Sequence, residues 1–342
     1  MKNKIGFITS FGLGGGGHTN EVLCKHLFNY YGEDNISFLY NKMSLPLASE
    51  KSRFDNYNFT NLIMFSHVNE LNSYNFDVVI VHRSGDDHWA LPHWQETMFN
   101  FKIIEINLHG KLETKTDTRI FPSKTLVNFY NITTNNFIIA NPICQTTNLI
   151  NLRNELNIHD KFVIGRVTRS DNDIYCDINL ISYKQIEDEN TIFLYVNPSN
   201  KAILDSKTLN IKNIIFIDGT TNPERLEQIY NTFDIHAHSN NIGETFGNSI
   251  AESIIKGIPT ISHEGFANWP QAHEEFFINT PELYIKKENK NTMIQNYTKI
   301  LDNLKTNIDY RNNVSKIQKD YAVNNFSVDI VIKKYIDVID NI

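Results

Sequence analysis

The chain has 342 residues, 41% of them apolar and 21% charged, with a formal net charge of -7. That length and balance suit an ordinary soluble globular protein with two cores of about 150 residues each. The acidic balance excludes broad nucleic-acid binding and a simple polybasic membrane anchor, though not a small local basic patch.

The N-terminus starts basic and then apolar, as a signal peptide would, but the run Ile5–Phe11 is short and leads into glycines rather than a cleavage site. It reads as a first buried strand. The first half then alternates short apolar runs with helix-like segments, with strands expected at Ile5–Thr9, Ile36–Tyr40, Asn61–Phe65, Val78–His82, Ile103–Asn107, Arg119–Phe121 and Phe137–Ile139. Several are continuous and β-branched, as parallel strands covered on both faces are. Between the first two, Val22, Leu23, Leu27 and Tyr30 recur at helical spacing. The second half repeats the pattern, with strands at Phe162–Val167, Ile192–Val196, Ile214–Ile217, Ile235–His238, Ile258–Ser262 and Leu283–Ile285 and helices at Pro223–Tyr230 and Gly247–Lys256. The latter stops at Lys256, because Gly257 can turn left-handed and Pro259 blocks resumption. Two amphipathic helices are expected after that, one carrying Ile294, Tyr297, Leu301 and Leu304, the other Val328, Val331, Tyr335 and Val338. Alternating β and α implies parallel sheets with helices on both faces, and two such series imply two domains, divided in the polar stretch Gln145–Lys161. No stretch reaches the roughly 18 uninterrupted apolar residues of a membrane span. Three widely spaced cysteines, Cys24, Cys144 and Cys176, form no CxxC and fit free thiols in a reducing cytoplasm.

The richest segment is IGETFGNSIAESIIKGIP, Ile242–Pro259, which sets Glu244 and Glu252 eight positions apart. Gly247 and Asn248 open the helix between them, and a helix start offers unpaired N–H groups and a positive dipole end suited to a diphosphate. A carboxylate at Glu252 can accept bonds from vicinal hydroxyls such as a ribose presents. One at Glu244 can hold sugar hydroxyls or stabilise positive charge at an anomeric carbon. Two surface glutamates on a capped helix is the plain alternative. A second segment is FVIGRVTRSD, where Arg166 follows a strand and a glycine and can pair with phosphate oxygens; a surface salt bridge is the ordinary alternative.

HAHSNNIGETFGNSIAESIIKGIPTIS resembles the E-x7-E signature of the family 4 retaining glycosyltransferases, with the Gly-Glu-Thr-Phe-Gly core and the Gly-x-Pro stop in family order. The resemblance implies an α/β chain of the GT-B fold, two Rossmann-like domains with parallel sheets facing across a cleft. Residues 1–150 would form the acceptor domain, 151–325 the donor domain, and 326–342 a helix crossing back to the first. It implies that Glu252 binds the donor ribose, that Glu244 contacts the donor sugar, and that the backbone of Thr245, Phe246, Gly247 and Asn248 meets the diphosphate or sugar. It further implies a UDP- or GDP-sugar donor, a hydroxyl acceptor, and transfer with retention without a metal or other cofactor. The acceptor is left open among a glycan, a lipid, a protein and a modified nucleobase. A cytoplasmic protein, with room for peripheral membrane contact, is the matching expectation for location.

Many family members carry a Lys five or six residues after the Gly-Arg pair, whereas this chain has Asp171 and Asn172 there, leaving Arg169 as the nearest second cation. The turn FGLGGGGHTNE satisfies G-x-G-x-x-G through Gly12, Gly14 and Gly17, so a NAD-dependent oxidoreductase is a rival. That fold needs an acid at the end of the second strand, which here reads Phe-Leu-Tyr-Asn. In the family the turn, with Gly16 and Gly17, faces the donor and acceptor across the cleft. His109 in IIEINLHGK resembles the family's strand-end His near the donor sugar, with a positioning role; a His bonded within its loop is the alternative. Neither His236 with His238 nor SGDDHWALPH has a zinc signature, so no metal site is expected. Trp94 is read as buried packing rather than a sugar platform. Asn268 and Gln271, in the loop after the Ile258–Ser262 strand, are weaker donor contacts. An inactive sugar-nucleotide binding protein shares every one of these motifs and is the second reading.

Overall fold

The computed structural model describes residues 3–8, 15–42, 61–83, 93–110, 112, 115–133, 135–145 and 148–342. Gly12, Gly14 and the Asp86–Trp89 segment therefore lie outside the described residues. The chain divides into two compact units, Met1–Pro142 with Val328–Ile342, and Ile143–Ser327.

The first unit holds a seven-stranded sheet in the order β3-β2-β1-β4-β5-β6-β7. Its strands are β1 (Ile5–Ile8), β2 (Ile36–Asn41), β3 (Leu62–Phe65), β4 (Val78–Arg83), β5 (Lys102–Asn107), β6 (Thr118–Phe121) and β7 (Asn136–Ile138). All its pairings are parallel. Helix α1 (Gly15–Tyr31) connects β1 to β2, and α2 (Lys124–Phe129) follows β6. The core on one side gathers Leu39, Phe65, Val79, Trp94, Phe101 and Ile103. Trp94 is 1% exposed and donates its indole N–H to the Lys115 carbonyl at 2.9 Å, so it serves packing.

The second unit repeats the plan with six parallel strands in the order β10-β9-β8-β11-β12-β13. They are β8 (Phe162–Val167), β9 (Thr191–Val196), β10 (Ile214–Ile217), β11 (Ile235–Ala237), β12 (Thr260–His263) and β13 (Tyr284–Ile285). Its helices are α3 (Ile178–Ile186), α4 (Asn200–Thr208), α5 (Pro223–Tyr230), α6 (Asn248–Ile255), α7 (Lys290–Thr306) and α8 (Ile308–Phe326); the last helix of the chain, α9 (Val328–Asn341), belongs to the first unit. In both sheets the order reverses direction beside the first strand, at β1/β4 and at β8/β11. Such a switch point leaves a crevice at the strand carboxyl ends where ligands bind.

Three helices occur where the periodicity points to two, because α8 separates α7 from α9. Its inward stripe is Val314, Gln318, Ala322 and Phe326, and the buried Gln318 breaks the apolar pattern. Gln318 is buried because it completes a strand edge: its amide accepts from Thr260 N–H at 2.8 Å and donates to Thr260 C=O at 2.9 Å. The division between units falls at Pro142/Ile143, upstream of the polar stretch. Residues just beyond that point pack with the second unit: Leu152 and Ile158 join its core, and Arg153 pairs with Asp234 at 2.7 Å.

Candidate functional site

The site grows from the β8/β11 switch point. Gly165 on β8 lets the strand pass close under Phe233, since a Cβ there would sit 2.2 Å from that ring. The next residue, Arg166, is 2% exposed. Its guanidinium donates to the Val167 carbonyl at 2.9 Å and to the Ser239 carbonyl at 2.6 Å, tying the end of β8 to the chain leaving β11. Its Nε finds no partner, and no carboxylate pairs with it among the described residues. Arg169 follows three positions later in the chain, exposed, with no hydrogen bond from its guanidinium among the described residues.

Four buried histidines surround this cation: His236, His238, His263 and His273. Burial pushes all four imidazoles down, and the Arg166 charge pushes the same way; His263 is lowered to about 4. They are therefore neutral rings that hold polar geometry without adding charge. His263 faces the Ser239 hydroxyl at 2.8 Å and the Glu264 carbonyl at 2.9 Å. His273 meets the His263 carbonyl at 3.0 Å. No group of three or more His, Cys, Asp or Glu able to hold a metal occurs among the described residues.

His238 leads to the first of the two glutamates. Its Nδ1 is 2.7 Å from the Ser262 hydroxyl and its Nε2 is 3.3 Å from Glu244 Oε1. A neutral ring carries one N–H, so Nε2–H directed at the carboxylate leaves Nδ1 to accept from Ser262. Asn240 donates to the same Glu244 oxygen at 2.7 Å, while its own carbonyl accepts from Ile242 N–H at 2.9 Å. Gln271 closes the loop from the other side, donating to the Ile242 carbonyl at 3.0 Å, and Ala272 N–H donates to the Glu244 carbonyl at 2.8 Å. Glu244 is thus fixed on one edge, with its side chain still 28% exposed.

Gly247 stands at the start of α6 with φ 106° and ψ 60°. That left-handed conformation suits glycine, and a Cβ would lie 3.6 Å from Glu244 Cγ. With a glycine cap and no acid in its first turn, α6 carries neither a capping side chain nor a carboxylate at its positive end. Phe246 is buried against Phe276 and Phe326, so the neighbouring backbone is what it presents. Glu252, one side of α6, accepts from the buried Tyr230 hydroxyl at 2.7 Å. The Tyr230 ring lies 6.2 Å from His236, itself 6.1 Å from His238. Glu252, Tyr230, His236, His238 and Glu244 therefore form one run of neighbours beside Arg166.

Arg166, Glu244, Gly247 and Glu252 are brought together in the second unit, with Thr245 and Asn248 between them in the chain. Gly16, Gly17 and His109 lie in the first unit, the glycines in the first turn of α1. His109 follows β5, its N–H bonded to Asn107 Oδ1 at 3.1 Å; β5 also carries the buried Glu105, paired with Arg119 at 2.9 Å. Sequence reasoning missed Asn240, Tyr230, Ser239, His263 and His273. Only Asn240, in His-Ser-Asn-Asn-Ile-Gly, carried a local signal, since Asn in such a stretch bonds its own backbone two residues on.

No protein-family model matches the chain, and no curated protein sequence does. Solved structures do. A glycosyltransferase from Rickettsia africae ESF-5 aligns over 99% of this chain and 98% of its own, with TM-score 0.75 and 14% identity. Anabaena Alr3699/HepE, in complex with UDP and glucose, aligns over 99% and 100%, with TM-score 0.74 and 12% identity. The lipopolysaccharide outer core galactosyltransferase WaaB, in its apo form, aligns over 99% and 99%, with TM-score 0.69 and 14% identity. Two Rossmann-like units with parallel sheets, similar over their whole length to glycosyltransferases of this kind, give the chain the GT-B fold.

Proposed function

We propose that the protein is a metal-independent, retaining glycosyltransferase that moves a hexose-type sugar from a nucleoside diphosphate sugar to a hydroxyl acceptor. The observation that carries this is the buried Arg166, which pairs with no carboxylate among the described residues, in the same unit as a partly exposed Glu244. A cation removed from water without an anion is costly to hold, and the cost is offset when an anionic ligand completes the site. A leaving pyrophosphate is such a ligand, and preorganised charge aimed at it lowers the barrier to its departure.

In this reading the amides at the start of α6 and the exposed Arg169 meet the diphosphate, and Arg166 adds positive potential from beneath. Glu252 receives ribose hydroxyls, with Tyr230 orienting its carboxylate. Glu244, oriented by Asn240 and His238, binds the donor sugar and stabilises positive charge at its anomeric carbon. The acceptor hydroxyl attacks that carbon as the bond to the diphosphate breaks, and its proton leaves with the departing phosphate oxygen or to solvent. UDP-glucose, bound in a related structure of the Anabaena protein, is the first donor to try, with GDP-sugars as the alternative. Gly16, Gly17 and His109 are assigned to the donor side of the first unit by resemblance.

The test is turnover of UDP-glucose, by hydrolysis or transfer, in the presence of a chelator. Wild type is expected to stay active, and Glu244→Ala to lose about a hundredfold. Activity abolished by the chelator, or untouched by the substitution, overturns the reading. The absence of a Lys at Asp171–Asn172 favours the second reading, an inactive sugar-nucleotide binding protein, which would bind UDP and never turn over.

A further inference from the structure

The first sheet ends on β7, an outer edge that the fold leaves open. Asn136–Ile138 form it, and among the described residues no strand pairs on its far side. Bonds to β6 run from Arg119 N–H to the Asn135 carbonyl at 3.3 Å and from Ile139 N–H to the Phe121 carbonyl at 2.9 Å. Alternate residues of a parallel strand face opposite ways, so Ile138 turns its N–H and C=O outward. The strand carries no charge and no proline, the usual guards of a free edge. Instead Phe137 and Ile138 are 42% and 44% exposed. The edge strand β13 of the second sheet is, by contrast, buried at both its residues.

Beside this edge runs one stripe of α9, and between them lies a mainly apolar groove of about 460 Å³. Phe137, Ile138 and Ile139 form one wall; Lys334, Asp337 and Val338 form the other. The last three share one face of the helix. Lys334 and Asp337 are exposed, and neither side chain pairs with an opposite charge among the described residues. The groove also reaches Thr118, the first residue of β6, so it extends to the amino end of that strand, apart from the crevice at the β1/β4 carboxyl ends.

These features choose the occupant. An open edge beside a helix takes an added strand. A membrane surface or a partner of one charge would satisfy only one of Lys334 and Asp337 and oppose the other. A second copy of this chain, turned by a two-fold axis, presents the same two charges in reverse order, so each meets its opposite and the contact closes on itself. We infer that β7 pairs antiparallel with β7 of a second copy, making a homodimer through the first unit, with Lys334 of each protomer facing Asp337 of the partner subunit. Phe137 and Ile138 then leave water, and the outward main-chain groups of Ile138 gain partners. Nothing in this contact depends on the reaction proposed above.

Sedimentation velocity of the full chain over a concentration series tests this. Wild type is expected to shift from one chain to two as concentration rises. Ile138→Lys sets two lysines across the axis and is expected to weaken the dimer about tenfold or more, as are Lys334→Glu and Asp337→Lys singly. Lys334→Glu with Asp337→Lys in one chain renews the pairing and is expected to return association to near the wild-type level. All these side chains are exposed, so the thermal midpoints of the variants are expected to match that of wild type at a concentration where it is monomeric. A wild type that stays monomeric overturns the inference, as does a dimer indifferent to Ile138→Lys or a double variant no better than the single ones. A monomer that co-sediments with phosphatidylcholine vesicles, and ceases to in Ile138→Lys, overturns it in favour of a lipid surface.

Discussion

Arg166 and the histidines around it make the second unit sensitive to acid. His236, His238 and His273 are held below the ordinary imidazole value and His263 falls to about 4, mainly by burial. An unfolded imidazole titrates near 6.5. Between those values the unfolded chain binds more protons than the folded one, so stability rises with pH there. It is complete above about pH 6.5 and declines as pH falls toward 4, by up to about 1.4 kcal/mol per pH unit for each histidine. Urea midpoints recorded across that interval should drop steadily on acidification, and a flat profile would contradict the burial of these rings. A second prediction concerns Gly247. Alanine there must adopt φ 106° with its Cβ 3.2 Å from His273 Cβ. Gly247→Ala is expected to cost about 1–2 kcal/mol of stability and to weaken UDP binding by moving the first turn of α6. Unchanged binding in calorimetric titration would separate that turn from the donor.

At the scale of elements, the strands were legible because several are short continuous apolar runs, the mark of a sheet covered on both faces. The end of α6 was equally plain. Gly257 turns at φ 81°, and Ile258 N–H bonds back to the Ser253 carbonyl at 3.1 Å. Helix α8 was not legible, because its buried stripe contains Gln318 and its other positions are mostly polar. What keeps Gln318 inside is the edge of β12, a partner 58 residues away in the chain. Gln318→Leu keeps the volume but leaves the Thr260 N–H and C=O buried without partners. A loss of roughly 1–3 kcal/mol per orphaned group is expected. Urea denaturation at neutral pH would measure it, and a neutral effect would mean that Thr260 finds other partners.

At the scale of the molecule, two units with separate cores should respond separately to ligand. If UDP binds the second unit, it stabilises that unit by RT ln(1 + [L]/Kd), about 2.7 kcal/mol at a hundredfold excess over Kd. Differential scanning calorimetry is expected to show the transition of Ile143–Ser327 moving upward with UDP. Equal response of an isolated first unit would place the nucleotide elsewhere. The C-terminal helix α9 belongs with the first unit, where Tyr31 donates to Asp340 at 2.9 Å and Asn3 to the Ile339 carbonyl at 3.2 Å. Residues more than three hundred positions apart are thus joined in one compact unit.

By itself the amino-acid order determined the alternation of strands and helices, and with it two parallel α/β units, because periodicity and turn residues act over a few neighbouring positions. It also set Glu244, Gly247 and Glu252 along one short stretch, since a helix start and its spacing are local features. Tertiary structure alone decided the strand order, the burial of Arg166 against the Ser239 carbonyl 73 residues on, and the hold of Ser262 on His238, whose other ring nitrogen meets the first glutamate. Those contacts join segments that local pattern cannot relate. They exist only once parallel strands have been laid side by side and their carboxyl ends brought to a common edge.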